Sequence, residues 1–408
     1  MKPLRGGLKL DGKKEATLIP WSIVRPSVPR RVRPPLKYSS SLSFQPLVQV
    51  GDRVRTGERI AQTDGEHPLG LHASISGKVS EVGDAIEILS DGKDETLPPI
   101  GHERVGWESL SSGEIFKLLR DSGIELPAPR TLDTLILNGC ESEPYLTSDH
   151  CLMMSHPVEI LRGGEILGRA FQAKNLVLVL EDNKEEVAEL LKSKIFFHTW
   201  SRTRIEVLPA RYPLEEERIL IRELLGLDIG PAQAGVTVLN VAFAFAVYEA
   251  VVLQKPFYER VVTIGGECTA QPRNFWVRIG TSVEEAVKYA RGFLRQPEKV
   301  ILGGPMTGRA IETLDTPVLK GTRGILGLPR EVTKPETIEP CIRCNRCVES
   351  CPVFISPVMI TLAAEKGLWE VARDYGASFC IECGNCSTVC PAKRPMVELI
   401  QYANSHVR

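Results

Sequence analysis

The chain has 408 residues, of which 43% are hydrophobic and 25% charged, with a net charge of −1. This ordinary globular composition predicts several domains, each able to bury its own core. The balanced charge excludes a protein that nucleic acid or an anionic membrane attracts through its overall field. The opening stretch, MKPLRGGLKLDGKK, carries no apolar run, so the sequence predicts neither a signal peptide nor an anchor there.

Short alternating apolar runs, separated by Gly-Asp and Ser-Gly turns, fill residues 1–100. Such spacing is typical of a compact β sandwich or barrel. Within this region GDRVRTGERI is similar to the hairpin of lipoyl and biotinyl domains. Those domains present a modified lysine at the turn, whereas here Lys78 lies just past it. We therefore expect no attached prosthetic group.

Longer strands and helices alternate in residues 101–255. LDTLILNG and NLVLVLED are nearly continuous apolar strands, as expected where both faces of a sheet are covered, and KEEVAELLKSK and EEERILIRELLG are amphipathic helices. The run AGVTVLNVAFAFAVYEAVVL (234–253) is the one candidate for a membrane span. Asn240 and Glu249 interrupt it, so we predict a buried strand that leads into a helix.

A third segment, residues 256–335, begins with the strand-like stretches ERVVTIGG and NFWVRIG. The helical pattern SVEEAVKYARGF and the glycine-rich VILGGPMTG follow. A polar stretch with two prolines, EVTKPETIEP, then leads to a cysteine-rich unit at the end of the chain.

Two cysteine runs repeat in the last unit, CIRCNRCVESCP (341–352) and CIECGNCSTVCP (380–391). Each has the C-x2-C-x2-C-x3-C-P spacing of bacterial ferredoxins, which bind [4Fe–4S] clusters. The alternative is a pair of four-cysteine zinc sites, but these are usually built from well-separated C-x2-C pairs. Thiolates clustered as metal ligands indicate a reducing compartment rather than a disulfide framework.

The spacing also predicts how the two runs share their ligands. Three cysteines of a run wrap one corner of a cubane, and the fourth is expected to begin a helix that leads to the other cluster. The two predicted clusters have these ligands: Cys341, Cys344, Cys347 and Cys390 for the first, and Cys380, Cys383, Cys386 and Cys351 for the second. The remaining cysteines, Cys140, Cys151 and Cys268, are expected to be small buried side chains without a redox role.

Several motifs, in order, resemble the C subunit of the Rnf complex, which couples electron transfer between ferredoxin and NAD to ion pumping. They include GGLKLDGKKEAT, PLVQVGDRVRTGERIA, LHASISGKV, NGCESEPYLTSDH, NVAFAFAVYEAVV, GGPMTG and both cysteine runs. The resemblance implies a multidomain α+β chain. Its parts are an N-terminal β barrel-sandwich (1–100), an α/β Rossmann-like domain related to the flavin- and NADH-binding subunit of complex I (101–255), a β-grasp SLBB-like domain (256–335), and an α-helical 2[4Fe–4S] ferredoxin domain (336–408).

In that family the second domain binds FMN, with NADH stacked on it. Asn138, Glu141, Glu143 and Tyr145 match family positions near the flavin and the nicotinamide. The resemblance therefore implies a cofactor-binding region at these four residues. The alternative is that they are kept only for packing at a junction between a strand and a loop.

The sequence departs from the family at two parts of the flavin site. A glycine-rich phosphate loop is replaced by GIELPAP (123–129), which offers one glycine, two prolines and a carboxylate. A YPxGGE stretch is replaced by YPLEEERILI, with Glu215 and Glu216 at the glycine positions, where acidic side chains displace a phosphate. We therefore predict that the FMN site has been lost.

These patterns favour an iron–sulfur electron-transfer subunit of an oxidoreductase complex rather than a self-sufficient enzyme. The expected partners are ferredoxin-like or flavoprotein subunits, and the expected place is the cytoplasm or, through a complex, the cytoplasmic face of a membrane. Two alternatives stay open: an FMN-dependent NADH:acceptor oxidoreductase, with ferredoxin or a corrinoid as acceptor, and an iron–sulfur scaffold or docking module. His150 and His156 lack a metal-ligand pattern and are expected at the surface or in loops.

Overall fold

A computed structural model describes residues 6–18, 21–39, 41–195, 203–227, 235–333 and 337–406. The chain begins with a segment that crosses the body of the protein. It contains α1 (Glu15–Leu18) and β1 (Ile23–Val24). Residues 6–14, which precede α1, are called the N-terminal strap below. The strap meets the middle of the chain where Leu8 and Tyr212 form an antiparallel bridge.

The first domain consists of two antiparallel sheets, as predicted. Its strands are β2 (Arg31–Val32), β3 (Gln45–Pro46), β4 (Arg53–Val54), β5 (Arg59–Gln62), β6 (Gly70–His72), β7 (Gly77–Val82) and β8 (Ile86–Ser90). One sheet has the order β2-β8-β7-β4 and the other β3-β5-β6. Residues of these short strands, such as Ile60, Leu71 and Ile88, are fully buried in one hydrophobic core.

The second domain is a four-stranded parallel sheet covered by helices. Its elements are α2 (Ser112–Asp121), β9 (Thr134–Asn138), α3 (Ser148–Ser155), α4 (Pro157–Ala170), β10 (Asn175–Glu181), α5 (Glu185–Ile195), β11 (Thr203–Leu208), α6 (Glu217–Leu225), β12 (Val236–Asn240) and α7 (Val241–Val251), with 3-10 turns at Trp107–Ser109 and Asp182–Lys184. The strand order is β11-β10-β9-β12, and all neighbours are parallel. β9 is buried throughout, which accounts for its continuous apolar sequence.

The apolar run that was considered as a membrane span forms a strand and then a helix, as predicted. β12 ends at Asn240, whose side chain accepts a hydrogen bond from the backbone N–H of Ala242 and so caps α7. Within the described ranges, no helix has the length and hydrophobicity needed to cross a bilayer.

The third domain is built on a six-stranded sheet with the order β1-β14-β13-β17-β15-β16. Its elements are β13 (Glu259–Gly265), β14 (Arg273–Arg278), α8 (Val283–Tyr289), β15 (Lys299–Leu302), β16 (Arg309–Ile311), β17 (Gly324–Leu328) and α9 (Arg330–Thr333). α8 packs on this sheet through Val283, Ala286 and Val287. The edge strand β1 comes from the N-terminal segment and pairs in parallel with β14, so the chain's beginning completes this sheet.

A buried ion network joins the first three domains. The Nζ of Lys255 lies 2.7 Å from Glu259 Oε1, and Nη1 of Arg25 lies 2.8 Å from the same oxygen. Arg278 approaches Glu259 and also Asp94 of the first domain. Burial alone would raise the pKa of Glu259, but Lys255, Arg278 and Arg25 outweigh it and lower the pKa to about 2.

The fourth domain is helical and internally repeated. It contains α10 (Arg346–Glu349), α11 (Pro357–Ala364), α12 (Trp369–Asp374), α13 (Asn385–Thr388) and α14 (Met396–His406), with a 3-10 turn at Ala377–Phe379. α10 and α13 occupy equivalent places in the two cysteine runs. The expectation that each fourth cysteine begins a helix is wrong: Cys351 and Cys390 follow these short helices, and the next helix starts six residues later in both runs.

The four-part fold predicted from the sequence is confirmed. A β barrel-sandwich, a parallel α/β layer, an SLBB-like sheet and a helical cluster domain follow one another along the chain.

Candidate functional site

The parallel sheet has a topological switch point between β9 and β12. From β9 the chain proceeds to β10 and β11 on one side and then returns to place β12 on the other side. Ligands of open α/β sheets bind outside the carboxyl ends of the strands at such a point. Asn138 and Asn240 are the last residues of the two strands and pair side by side there.

A cavity of about 310 Å3 lies at this switch point. Its apolar wall is largely aromatic and includes Phe243, Phe245, Phe257 and Trp276. A second cavity of about 570 Å3, open towards the first domain, shares Phe243 and Phe257 with it. These volumes are within the range of small-molecule sites, roughly 300–1,000 Å3. Sequence reasoning did not single out Phe243, because an aromatic residue in an apolar helix is usually a core residue.

The two glutamates at the family's glycine positions both have partners in the protein. The Glu215 carboxylate lies 3.1 Å from Nη2 of Arg323 and accepts a hydrogen bond from the N–H of Ser142 at 3.3 Å. Burial raises the pKa of Glu215, and Arg323 opposes that shift. The Glu216 carboxylate accepts from the N–H of Ile219 at 3.0 Å and caps α6. The expectation of two carboxylates that would repel a phosphate therefore needs correction, because Glu215 is neutralised by an arginine.

Arg323 is a site residue that sequence reasoning missed. Its guanidinium lies between Glu215 and Asp149 Oδ2, the latter at 3.3 Å. Burial lowers its pKa, but the nearby carboxylates of Glu215 and Asp149 outweigh burial and raise it. No local sequence pattern predicts this pairing, since the three residues come from three distant segments. Three cationic side chains line the cavity, and of these Arg323 is paired with the chain's own carboxylates; the others are Arg260 and Lys320.

The shortened loop uses its one glycine to end a helix. Gly123 has φ +78°, and its N–H and that of Ile124 donate to Arg120 O and Leu119 O at the end of α2. The Gly123 carbonyl accepts from Nζ of Lys320 at 2.6 Å. Two backbone amides of this loop are therefore already bonded, and the two prolines have no N–H to donate.

The side chains of Asn138 and Glu141 form hydrogen bonds with backbone groups of the protein itself. Asn138 Nδ2 donates to Glu215 O at 2.8 Å, and Oδ1 accepts from Cys140 N at 3.0 Å. The fully buried Glu141 carboxylate accepts from the N–H groups of Asp149 and His150 and thereby caps the start of α3.

Glu143 and Tyr145 reach the third domain instead of the cavity. Glu143 accepts from the N–H groups of Met306 and Thr307 at 2.9 and 3.1 Å. The Tyr145 hydroxyl donates to Glu267 Oε1 at 2.7 Å. Of the four residues that match the family's flavin region, Asn138 is the one that lines the 310 Å3 cavity.

The first predicted cluster site is a cavity of about 430 Å3 in the fourth domain. The cysteines that line it come from both runs: Cys341, Cys344, Cys347 and Cys390. Apolar side chains such as Val358, Met359 and Met396 complete the wall. The structure thus brings together the crossed set of four cysteines, and four thiols around one apolar space fit a [4Fe–4S] cluster.

The second set is also brought together. Cys351 packs in the same hydrophobic cluster as Cys380, and both cysteines contribute to raising the pKa of Cys383 and of Cys386. Burial is the main cause that raises the pKa of Cys383 and of Cys386 to about 12. A buried thiol with a raised pKa still loses its proton and becomes a thiolate when it coordinates a metal. Across the described part of the chain, no three His, Cys, Asp or Glu side chains converge as tightly as a single metal ion requires.

The body of the protein covers the second cluster site. Gly7 N–H donates to Ser350 O at 2.9 Å, and the Tyr212 hydroxyl donates to Cys383 O at 2.7 Å. Arg222 Nη1 donates to Pro352 O at 2.5 Å. By contrast, Cys344 of the first set is exposed and Ile342 beside it is 67% exposed. One site faces the second domain and the other faces solvent.

The scattered cysteines are buried, as predicted: Cys140, Cys151 and Cys268 are each fully buried. The prediction for His150 is wrong, because it lies inside α3 and is 5% exposed, where burial lowers its pKa to about 4. His156, half-buried between α3 and α4, packs against the ring of Phe245.

Four family models match the chain in sequence. They are the RnfC barrel sandwich hybrid domain (residues 2–96), the Nuo51 FMN-binding domain (122–249), the SLBB domain (261–310) and the 4Fe–4S dicluster domain (340–394).

Three relatives are similar over nearly the whole chain. The C subunit of the proton-translocating ferredoxin:NAD+ oxidoreductase complex of Clostridium ljungdahlii is 35% identical, over 100% of this chain and 94% of the relative. The C subunit of the ion-translocating oxidoreductase complex of Rhodobacter capsulatus is 34% identical, over 98% of this chain and 82% of the relative. The C subunit of the Na+-translocating ferredoxin:NAD+ oxidoreductase complex of Acetobacterium woodii is 33% identical, over 99% and 96%.

Proposed function

Because the chain belongs to the family of C subunits of ion-translocating oxidoreductase complexes, we propose that it is the iron–sulfur electron-transfer subunit of such a complex. It relays electrons between protein partners through two [4Fe–4S] clusters. The observation that carries this proposal is the grouping of eight cysteines into two crossed sets of four, one buried against the body and one open to solvent.

The flavin site of the family is lost in this proposal. The argument rests on what the chain has placed at the switch point. Arg323 is bonded by Glu215, the start of α6 is capped by Glu216, and Gly123 ends α2. These three groups therefore already have partners within the protein. Because the amides of Gly123 and Ile124 are already bonded within the protein, neither can donate to a charged ligand. Each lost hydrogen bond weakens binding of that ligand by about 1.5–3 kcal/mol. Together this weakens FMN binding by roughly two to four orders of magnitude.

A second function is favoured by two observations. The match to the Nuo51 FMN-binding domain and the aromatic cavity of about 310 Å3 suit an FMN-dependent NADH:acceptor oxidoreductase, with ferredoxin or a corrinoid as acceptor. The third alternative, an iron–sulfur scaffold or docking module, is less well supported because two clusters, one inner and one outer, suit a relay.

The partners follow from the same proposal. They are ferredoxin-like or flavoprotein subunits of the complex, and the chain associates peripherally with the cytoplasmic face of a membrane through them. The names of the relatives describe complexes that translocate ions. Such a complex needs membrane-spanning subunits, to which this chain would bind.

One preparation tests these alternatives together. The chain is purified without oxygen, and iron, sulfide and FMN are measured in the same sample. We expect about eight irons, no stoichiometric FMN, and reduction of the clusters by a reduced ferredoxin or flavoprotein but not by NADH. Stoichiometric FMN, or rapid bleaching of the clusters by NADH, would establish the oxidoreductase instead. Eight irons that no protein donor reduces would favour the scaffold.

A further inference from the structure

The two cluster sites differ in what surrounds them. The backbone around the second site accepts hydrogen bonds from the N-terminal strap, Tyr212 and Arg222. The first site opens on a surface that we call the first-run face. It is formed by Ile338, Ile342, Arg343, Cys344, Arg346 and Met359, all exposed.

The first-run face has an apolar centre. Ile342 is 67% exposed, Ile338 58% and Met359 38%. Ile342 and Met359 also line the cavity of the first cluster site, so they lie between that site and solvent. Apolar side chains at the centre of a surface, with polar residues around them, are typical of protein interfaces.

The same face carries two arginines without a partner. Over the described residues, neither Arg343 nor Arg346 has a hydrogen bond or an ion pair from its side chain, although most arginines of this protein do. Exposed carboxylates in the same stretch, Glu339 and Glu349, equal this charge in number but bond to neither guanidinium. Unpaired arginines around an apolar centre are suited to bind carboxylates of another protein.

We propose that the first-run face is the docking surface of a small acidic iron–sulfur protein. This inference rests on the proposed electron relay and identifies the surface at which electrons enter or leave the chain through the first cluster. A single electron passes between the first cluster, held by the set that includes the exposed Cys344, and the partner's own cluster. One cluster is oxidised and the other is reduced, and no bond or proton changes hands.

Other occupants fit this face less well. A second copy of the chain offers Arg343 and Arg346 no surplus of carboxylates, because its face carries the same charges. The second cysteine run carries Phe379, 60% exposed and next to Cys380, but Arg373 of the preceding helix is already paired with Glu370. Of the two cysteine runs, the first is therefore the one beside arginines that have no partner among the described residues.

The test uses the full chain with both clusters in place. The charge variant is Arg343→Glu with Arg346→Glu, and the matched control is Arg53→Glu, an exposed arginine of β4 that forms no ion pair with the described residues. A second pair compares Ile342→Ser on the first-run face with Phe379→Ser beside the second run. Iron content and the visible spectrum confirm that every variant keeps its clusters.

The probes are a small acidic two-cluster ferredoxin and, as a probe of opposite charge, a small basic cytochrome c. Binding is measured by titration, and electron exchange by stopped flow, each at several salt concentrations. The charge variant is expected to exchange electrons with the ferredoxin about 10- to 100-fold more slowly at low salt, with the difference shrinking as salt rises. The cytochrome is expected to react faster with this variant. Arg53→Glu should change neither rate.

Different outcomes separate the docking surface from the relay. If the charge variant keeps its clusters and reacts with the ferredoxin as the wild type does, at all salt concentrations, the docking surface is refuted and the relay stands. A loss of ferredoxin binding in Phe379→Ser but not in Ile342→Ser would place the partner beside the second run and refute the assigned face. A wild-type chain with eight irons that exchanges electrons with neither probe would refute the relay and the docking surface with it.

Discussion

Gly6 is the residue of the N-terminal strap that lies closest to the second cluster site. A Cβ placed on it would come within 2.5 Å of Cys351 O and 2.9 Å of Pro352 Cα. Its φ of +73° belongs to the left-handed region, which costs a residue with a side chain about 1–2 kcal/mol. Both of these close atoms belong to the backbone, so no side chain can turn aside to relieve the contact.

We therefore expect Gly6→Ala to displace the strap from Cys351. Conformational strain and the contact together destabilise the docked strap by at least about 2 kcal/mol, which increases the undocked population roughly 30-fold. The second cluster then becomes accessible to solvent, while the first cluster is unaffected.

The assay follows the loss of each cluster. Wild type and variant are exposed to an iron chelator, and the two clusters are followed by electron paramagnetic resonance of the reduced protein. The second cluster of Gly6→Ala should be lost several-fold faster than that of the wild type. Gly113→Ala is the matched control, since nothing lies within 4 Å of a Cβ there. Equal rates of loss in Gly6→Ala and the wild type would show that the strap does not shield the site.

The other predictions concern ligation and stability. Cys351→Ser should reduce the iron content by about half and remove the signal of the second-run cluster; loss of the first-run cluster alone would refute the crossed ligation. Glu259→Gln should lower the free energy of unfolding in urea at pH 7 by about 1.5–3 kcal/mol, because Lys255 and Arg278 lose a charged partner while Lys255 keeps Glu249. Glu284→Gln, at an exposed pair, should change it by less than about 0.5 kcal/mol. Because the folded-state pKa of Glu259 is about 2, below its ordinary 4.5, its contribution is complete above pH 4.5 and is lost as the pH falls towards 2. The wild type and Glu259→Gln should thus converge in stability at acid pH, and a constant difference down to pH 2 would contradict the assigned pairing.

Local patterns in the sequence predicted the elements well. β9 and β10 were predicted because strands buried on both faces must be apolar throughout, and β12 followed by α7 because Asn240 and Glu249 interrupt the apolar run. The ferredoxin spacing of the two runs predicted crossed sets of cysteines, and the structure places Cys390 beside Cys341, Cys344 and Cys347. For the strands and the helix the physical cause lies within one short stretch of sequence, and for the cysteines it lies in the repeated runs.

Contacts between distant segments were not predicted. The pairing of β1 with β14 and the bonding of Glu215 to Arg323 depend on the assembly of whole domains. His150 was misplaced for the same reason: its helix is polar enough for a surface position, but the N-terminal segment and α5 cover it. A single sequence carries no signal for such pairings.

The docking of the strap also bears on the order in which the protein is made. Gly7 forms a backbone hydrogen bond with Ser350, and Leu8 forms one with Tyr212. Residues that are synthesised early therefore have bonding partners that are synthesised much later. Domains generally fold one after another as they emerge. The strap can close only after the last domain has emerged and folded. The second cysteine set is therefore uncovered on this side while the last domain folds, and the strap covers it only in the finished chain.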